Sequence, residues 1–237
     1  MKKTLNLVLI AAFVLGAFAV VGVGLVAFTQ AMTAERIAAN ERAALMGKLE
    51  AVVPGVSIEN DPLADVVVVS DPALLGGETT EVYRVRSGGE VVALILDPMV
   101  PDGYAGPIKL LVAVRSDGTL GGVRVLSHHE TPGLGDKIEE RKSDWVLSFD
   151  GKSLEDPPPE QWEVERDGGV FDQFTGATIT PRSIVRAVKR TLVFVEEKGA
   201  DLYADPATEP AAEPASAAVP ATQAGRDPAT VSAEDAS

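Results

Sequence analysis

The run Asp172-Gln173-Phe174-Thr175-Gly176-Ala177-Thr178-Ile179-Thr180 sets hydroxyls and a glycine directly ahead of a segment patterned as a helix. Backbone N–H groups at a helix start lack partners inside the helix, and the aligned peptide dipoles make that end positive. Such a place suits a phosphate. Gly176 and Ala177 have small side chains, which lets a bulky group come close to the backbone and leaves the Thr178 hydroxyl accessible. Arg182, one turn in, offers a positive charge. The same residues also suit a plain turn between strand and helix whose threonines merely cap.

A second cluster is Ser127-His128-His129-Glu130-Thr131-Pro132-Gly133-Leu134-Gly135-Asp136-Lys137. The histidines suggest a metal, but adjacent residues on a strand point to opposite faces, so the two do not share one ion and no metal site is expected. Pro132 and the glycines describe a tight turn, which also fits an ordinary loop leaving a hairpin before a helix. Trp145 reads as a packing residue. Neither a general base with a substrate pocket nor a Gly-rich dinucleotide fingerprint is evident, so no catalytic residue is assigned.

These residues need elements to hold them. A helix from Pro181 to about Lys198 carries Ile184, Val185, Val188, Leu192 and Val195 on one stripe, with Arg182, Arg186, Lys189 and Arg190 mainly off it. Thr180 can cap its start, and Pro181 fits the first helical position, where no N–H is required. Strands are expected at Val66–Ser70, Glu81–Arg86, Val91–Leu96, Ile108–Arg115 and Leu120–Leu126, the last two joined through Ser116-Asp117-Gly118-Thr119 as a hairpin. No long helical crossovers separate them, which predicts an antiparallel sheet in an α+β domain. Further helices are expected over Lys137–Phe149 and over Ala34–Leu49, the latter with Ile37, Ala38, Leu45 and Leu49 near one stripe and ended by Pro54-Gly55.

The ends differ in kind from the middle. Leu5 to Phe28 is 24 residues without a charge, about 36 Å of helix against a bilayer core of about 30 Å. It predicts a single transmembrane anchor. A cleaved signal peptide is the competing reading, against which stand the length of the run and the weak cleavage site Ala31-Met32-Thr33. Lys2 and Lys3 place the N-terminus in the cytoplasm and the main domain outside. Gly16 and Gly24 suit contact with a partner helix. The 33 residues from Asp205 to Ser237 hold 11 Ala, 5 Pro and 6 acids and nothing large to bury, which predicts a disordered tail. The expected organisation is therefore residues 1–30 as start and anchor, 31–60 as juxtamembrane helix and linker, 61–204 as the folded domain and 205–237 as the tail.

Composition removes several functions. Without cysteine the chain cannot hold an iron–sulfur cluster, a c-type haem or a thiolate zinc site, so any redox work needs an organic cofactor. The net charge of −14, from 21 Lys+Arg against 35 Asp+Glu, argues against nucleic-acid binding.

Asp172-Gln173-Phe174-Thr175-Gly176-Ala177-Thr178 resembles the flavinylation motif of a family of FMN-binding domains. That family comprises the G subunit of the Rnf (Rsx) ion-translocating electron transport complex and the C subunit of sodium-translocating NADH:quinone reductase. The threonine of its final Ala-Thr pair carries FMN through a phosphoester, placed there by a separate flavin transferase that uses FAD. By position the attachment residue is Thr178, with Thr175, Gly176, Ala177 and Thr180 beside it; the sequence alone does not separate Thr178 from Thr180. Glu130-Thr131-Pro132-Gly133-Leu134-Gly135 resembles the family stretch that lines the flavin pocket, where the turn's backbone can approach a planar ring and Glu130, Thr131 and Lys137 can hydrogen-bond its polar edge. Gly103-Tyr104-Ala105-Gly106-Pro107-Ile108 is similar as well, and Tyr104 can stack on the isoalloxazine or sit in a plain turn. Thr175 stands where many members have Ser.

The resemblance covers residues 90–198 in detail and is nearer the Rnf-type protein than the quinone reductase one. It implies an electron-carrying flavoprotein in the bacterial inner membrane, its FMN domain periplasmic. Other membrane subunits and iron–sulfur subunits would be its partners, and the complex would couple ferredoxin/NAD-linked electron transfer to ion transport. The alternatives are the C subunit of the quinone reductase and an anchored binding or scaffold module that never receives flavin.

Overall fold

The computed structural model describes residues 2–204. The tail expected from Asp205 onward lies outside the described residues. Helix α1 (Lys2–Ala51) is unbroken and joins the expected anchor and the expected Ala34–Leu49 helix into one. Its stretch Leu9–Ala51 contains a window of mean hydropathy 2.7 with none of it buried, so it is long and apolar enough to cross a membrane. Fifty residues span about 75 Å, well beyond a core of about 30 Å. Where the apolar run ends, Thr29 and Thr33 donate their hydroxyls one turn back, to Leu25 O at 3.0 Å and Thr29 O at 2.8 Å, which keeps polar groups compatible with a continuing helix. Two tightening bonds, Val52 N–H to Leu49 O and Val53 N–H to Glu50 O, both 3.3 Å, then close it ahead of Pro54-Gly55.

The sheet is antiparallel throughout, as the lack of helical crossovers between strands predicts. Its strands are β1 (Val66–Val69), β2 (Thr80–Ser87), β3 (Glu90–Leu96), β4 (Met99–Val100), β5 (Ile108–Arg115) and β6 (Leu120–Ser127), with a short helix α2 (Pro72–Leu75) between β1 and β2. β1 pairs β2 and β2 pairs β3. β3 and then β4 pair successive stretches of β5, at Ala93↔Arg115 through Leu96↔Val112 and at Met99↔Lys109. β6 pairs β5 along Lys109–Val114. The two-residue β4 has too little alternation to stand out in the sequence.

Both faces of the sheet are covered, which explains why its central strands are apolar at nearly every position. Leu94, Leu96, Leu110, Val112 and Val114 share one core with helix α3 (Ile179–Tyr203). Ala93, Ile95, Leu111 and Ala113 share the other with Leu49, Val52 and Val53 at the end of α1. The α3 stripe of Ile184, Val185, Val188, Leu192 and Val195 is buried as expected. Four of these five are β-branched, costing up to about 0.7 kcal/mol each in helix propensity, while burial of each returns about 1.5–3 kcal/mol. Packing therefore decides the helix. α3 also outruns the expected Lys198 end, because the Tyr203 hydroxyl donates to Val114 O and Arg115 O at 3.0 Å and ties the last turn to the end of β5.

One expected helix is absent. Lys137–Phe149 forms two separate 3-10 turns, Gly135–Ile138 and Asp144–Phe149. Ser143 interrupts them with an extended backbone (φ −163°, ψ 147°), its hydroxyl accepting the Trp145 N–H. A serine that offers the chain a local hydrogen bond competes with helix continuation, and here it wins. The second turn delivers Trp145, Val146 and Phe149 into the core on the α3 side. Phe149 stacks on Phe171 at 4.6 Å between centroids and meets Trp145 edge-on at 5.3 Å.

Truncating this fully buried ring at Phe149→Ala is expected to destabilise the domain by about 3–5 kcal/mol. Denaturant unfolding of the full chain in detergent, followed by near-ultraviolet circular dichroism, measures it; a loss under 1 kcal/mol would show that the aromatic cluster does not hold this face.

Candidate functional site

Phe174-Thr175-Gly176-Ala177 forms a four-residue turn, and Thr178 alone separates it from α3. Ala177 N–H donates to Phe174 O at 3.2 Å, and Gly176 sits at φ 87°, a region that side chains disfavour. Phe174 anchors the turn from below: it is buried and meets Trp145 edge-on at 5.1 Å. The Trp145 indole N–H donates to Asp172 O at 2.8 Å. Trp145 therefore packs, as expected, and also positions the approach to the motif, a link no spacing in the sequence reveals.

The helix begins two residues before the expected first position. Thr178, not Thr180, occupies the position before the first helical residue, and its hydroxyl makes no capping bond. Thr178 is half-buried and Thr175 and Gly176 are exposed. Thr180 is fully buried, its hydroxyl donating to Glu130 Oε2 at 2.7 Å. The two threonines that the sequence left equivalent are thus in different environments. Arg182 is also not where its position suggested: it forms a two-pronged pair with Asp167, with Nη2 to Oδ1 at 2.7 Å, and points its charge there.

Glu130 joins three segments. Besides Thr180, it accepts the Ala105 N–H on Oε1 at 3.1 Å, which ties in the loop carrying Tyr104. That loop has a second tether, the Ser183 hydroxyl of α3 donating to Asp102 O at 2.8 Å. Gly135 makes the fit possible, since a Cβ there would lie 2.4 Å from Glu130 Oε2 and 3.1 Å from Thr180 Oγ1. Leu134 meets the turn itself, its Cδ2 being 3.3 Å from where a side chain on Gly176 would start. Of the residues singled out from sequence, Glu130, Leu134, Gly135, Gly176, Ala177, Thr178 and Thr180 therefore converge. Thr131 and Gly133 lie exposed on the connecting turn, while Lys137 lines a groove with Thr175, Trp145 and Phe174. Apolar side chains stay exposed beside these contacts: Tyr104 at 67%, Ile179 at 46% and Leu134 at 42%.

Charged groups brace the 128–142 loop from the other side. Glu130 N–H donates to His128 Nδ1 at 3.0 Å, and His128 Nε2 lies 3.0 Å from Glu139. Lys142 bridges Asp136 at 2.6 Å and Glu139 at 3.0 Å, and Asp136 in turn accepts Gly133 N–H at 2.8 Å. Arg141 and then Lys142 and His128 hold the Glu139 carboxyl down to about 2. Lys142 likewise lowers Asp136 and is itself raised, chiefly by Asp136 and then by Glu139. This circuit was missed in the sequence because it closes through His128, eleven residues from Glu139 and brought to it only by the intervening turn. Among the described residues, no group of three or more metal-ligating side chains comes together.

Comparison with known proteins adds to this geometry. Residues 103–193 match a family model described as FMN-binding domain, and residues 1–52 match one described as RnfG N-terminal region. The G subunit of the ion-translocating oxidoreductase complex of Pseudomonas aeruginosa (strain UCBPP-PA14) is 50% identical over 186 residues, covering 78% of this chain and 87% of that protein. The G subunit from Vibrio atlanticus (strain LGP32) is 44% identical over 193 residues, 81% of this chain and 92% of that one. Its counterpart from Shewanella loihica (strain ATCC BAA-1088 / PV-4) is 45% identical over 197 residues, 83% and 93%.

Because Glu139 is held below its ordinary value of 4.5, down to about 2, its contribution to stability is complete above that ordinary value and is lost as pH falls toward the depressed one. The thermal midpoint is expected to drop between pH 4.5 and 2. Glu139→Gln should start from a lower midpoint at neutral pH and fall less steeply across that window; parallel pH profiles for the two proteins would remove Glu139 from the account.

Proposed function

Since this chain belongs to the family of G subunits of the ion-translocating oxidoreductase complex, we propose that it is the electron-carrying flavoprotein of an Rnf-type complex, with FMN joined through a phosphoester to Thr178. The observation that carries the site is the contrast between the two threonines. Thr180 is buried with its hydroxyl given to Glu130, whereas Thr178 is half-buried with no capping bond, at the open start of a 25-residue helix. The unpaired N–H groups and dipole of that helix start favour a phosphate there.

The residues present fit the group. Gly176, exposed and at positive φ, keeps the turn before Thr178 free of a Cβ, which would stand 3.3 Å from Leu134 Cδ2. Leu134, Ile179 and Tyr104 offer exposed apolar surface for a flat ring, and Lys137 offers a charge beside Thr175. Attachment uses FAD as substrate of a flavin transferase. Thr178 Oγ forms a bond to the phosphorus of the FMN half, the P–O–P anhydride bond breaks, AMP leaves, and the hydroxyl proton passes to solvent. No electron changes hands in that step. When bound, FMN supplies one- and two-electron transfer; the chain supplies its position and surroundings.

The same reading gives α1 the role of a single-pass anchor in the inner membrane. Lys2 and Lys3 would be cytoplasmic and the FMN domain periplasmic. The membrane and iron–sulfur subunits of the complex are then its partners, since a chain without cysteine holds no cluster of its own. Electrons pass through it between neighbours, and it needs no general base.

After co-expression with a flavin transferase, the wild-type chain is expected to give a fluorescent band on a denaturing gel. The band should vanish in Thr178→Val and survive in Thr180→Val. Fluorescence retained in Thr178→Val would sink the site assignment, and an unlabelled wild type would favour a scaffold module instead.

A further inference from the structure

Glu130 is buried, with 5% of its surface exposed, and both its oxygens are occupied by the protein itself. Such a carboxylate has little left to offer a ligand. What it does hold is the first turn of α3, through Thr180, and the Tyr104 loop, through Ala105 N–H. Thr180 lies two residues beyond Thr178, so the Glu130–Thr180 bond sets where the Thr178 hydroxyl stands relative to the Gly176 turn. Its own backbone is braced by His128, which Glu139 holds in turn.

We infer that Glu130 is a positioning residue for flavin attachment: by taking the Thr180 hydroxyl it withdraws that threonine from the reaction and fixes Thr178 as the nucleophile presented at the helix start. This rests on the attachment reading above. The Thr178 oxygen displaces AMP from FAD in the step already written, and Glu130 acts on it only through Thr180 and the loop it pins. A misplacement of order 1 Å at a reacting group costs up to about a hundredfold in rate, so loss of this tether should be felt at Thr178 without any change in what docks.

The test is the initial rate of FMN incorporation into the full chain in detergent, with purified flavin transferase and FAD, the modified residue being located by peptide mass spectrometry. Glu130→Ala and Thr180→Val are each expected to lower the rate at saturating chain by about tenfold, leaving half-saturation within about twofold. Glu130→Gln should restore most of the rate, because its amide oxygen can take the Ala105 N–H while its NH₂ donates to Thr180 Oγ1. The double variant Glu130→Ala/Thr180→Val should be no slower than the worse single one, since the two changes remove one bond. If Glu130→Ala does not fold, Thr180→Val, which exchanges the hydroxyl for a methyl of similar size, carries the test. Wild-type rates in the foldable variants, or effects that multiply in the double variant, overturn the positioning role. Label absent from the wild type, or persisting in Thr178→Val, overturns instead the attachment reading on which it rests.

Discussion

A carboxylate buried between a hydroxyl and a backbone N–H is the contact on which the candidate site depends. Glu130 has only the protein to satisfy it, and a buried acceptor deprived of its partners is costly, so Thr180 and Ala105 must stay within reach. Three pieces of chain far apart in sequence therefore settle together: the loop before β5, the loop after β6 and the start of α3. The room for this is supplied by an atom that is missing, the Cβ of Gly135.

The sheet makes the meeting possible because it is packed on both sides. Its α3 face carries the aromatic cluster that holds Trp145 and Phe174, and these fix the turn just before Thr178. Its opposite face is taken by the last residues of α1. A strand with two covered faces gains from apolar residues at every position, and the unbroken run Leu110–Val114 in β5 is the result.

Most of the fold was legible because hydrophobic period and turn chemistry agree. Ile108–Arg115 is a strand over its expected length, since Pro107 precedes it and Ser116-Asp117-Gly118-Thr119 ends it. The α3 stripe was equally plain. Two of the failures share a cause, a local preference overruled by a distant partner, and the third is a local hydrogen bond that competes with the helix. Thr180 has every qualification of a capping residue, yet Glu130, fifty residues away, claims its hydroxyl. Arg182 looked free for an anion until Asp167 took it. Lys137–Phe149 has helical composition, but Ser143 and the need to bury Trp145 and Phe149 break it in two. In the site, the motif residues were legible as a set, while their division into buried supports and accessible groups was not, because it depends on contacts between segments that no spacing records.

The continuity of α1 has its own consequence. The helix passes without a break from an apolar segment to Leu49, which, with Val52 and Val53 just past the helix end, is locked into the back of the sheet. Distance along it is therefore also angle. One residue added between Phe28 and Leu45 would lift the folded domain by about 1.5 Å and swing it by about 100° relative to the residues before it. The spacer's length sets not only how far Thr178 stands from the apolar segment but also the compass direction in which it faces.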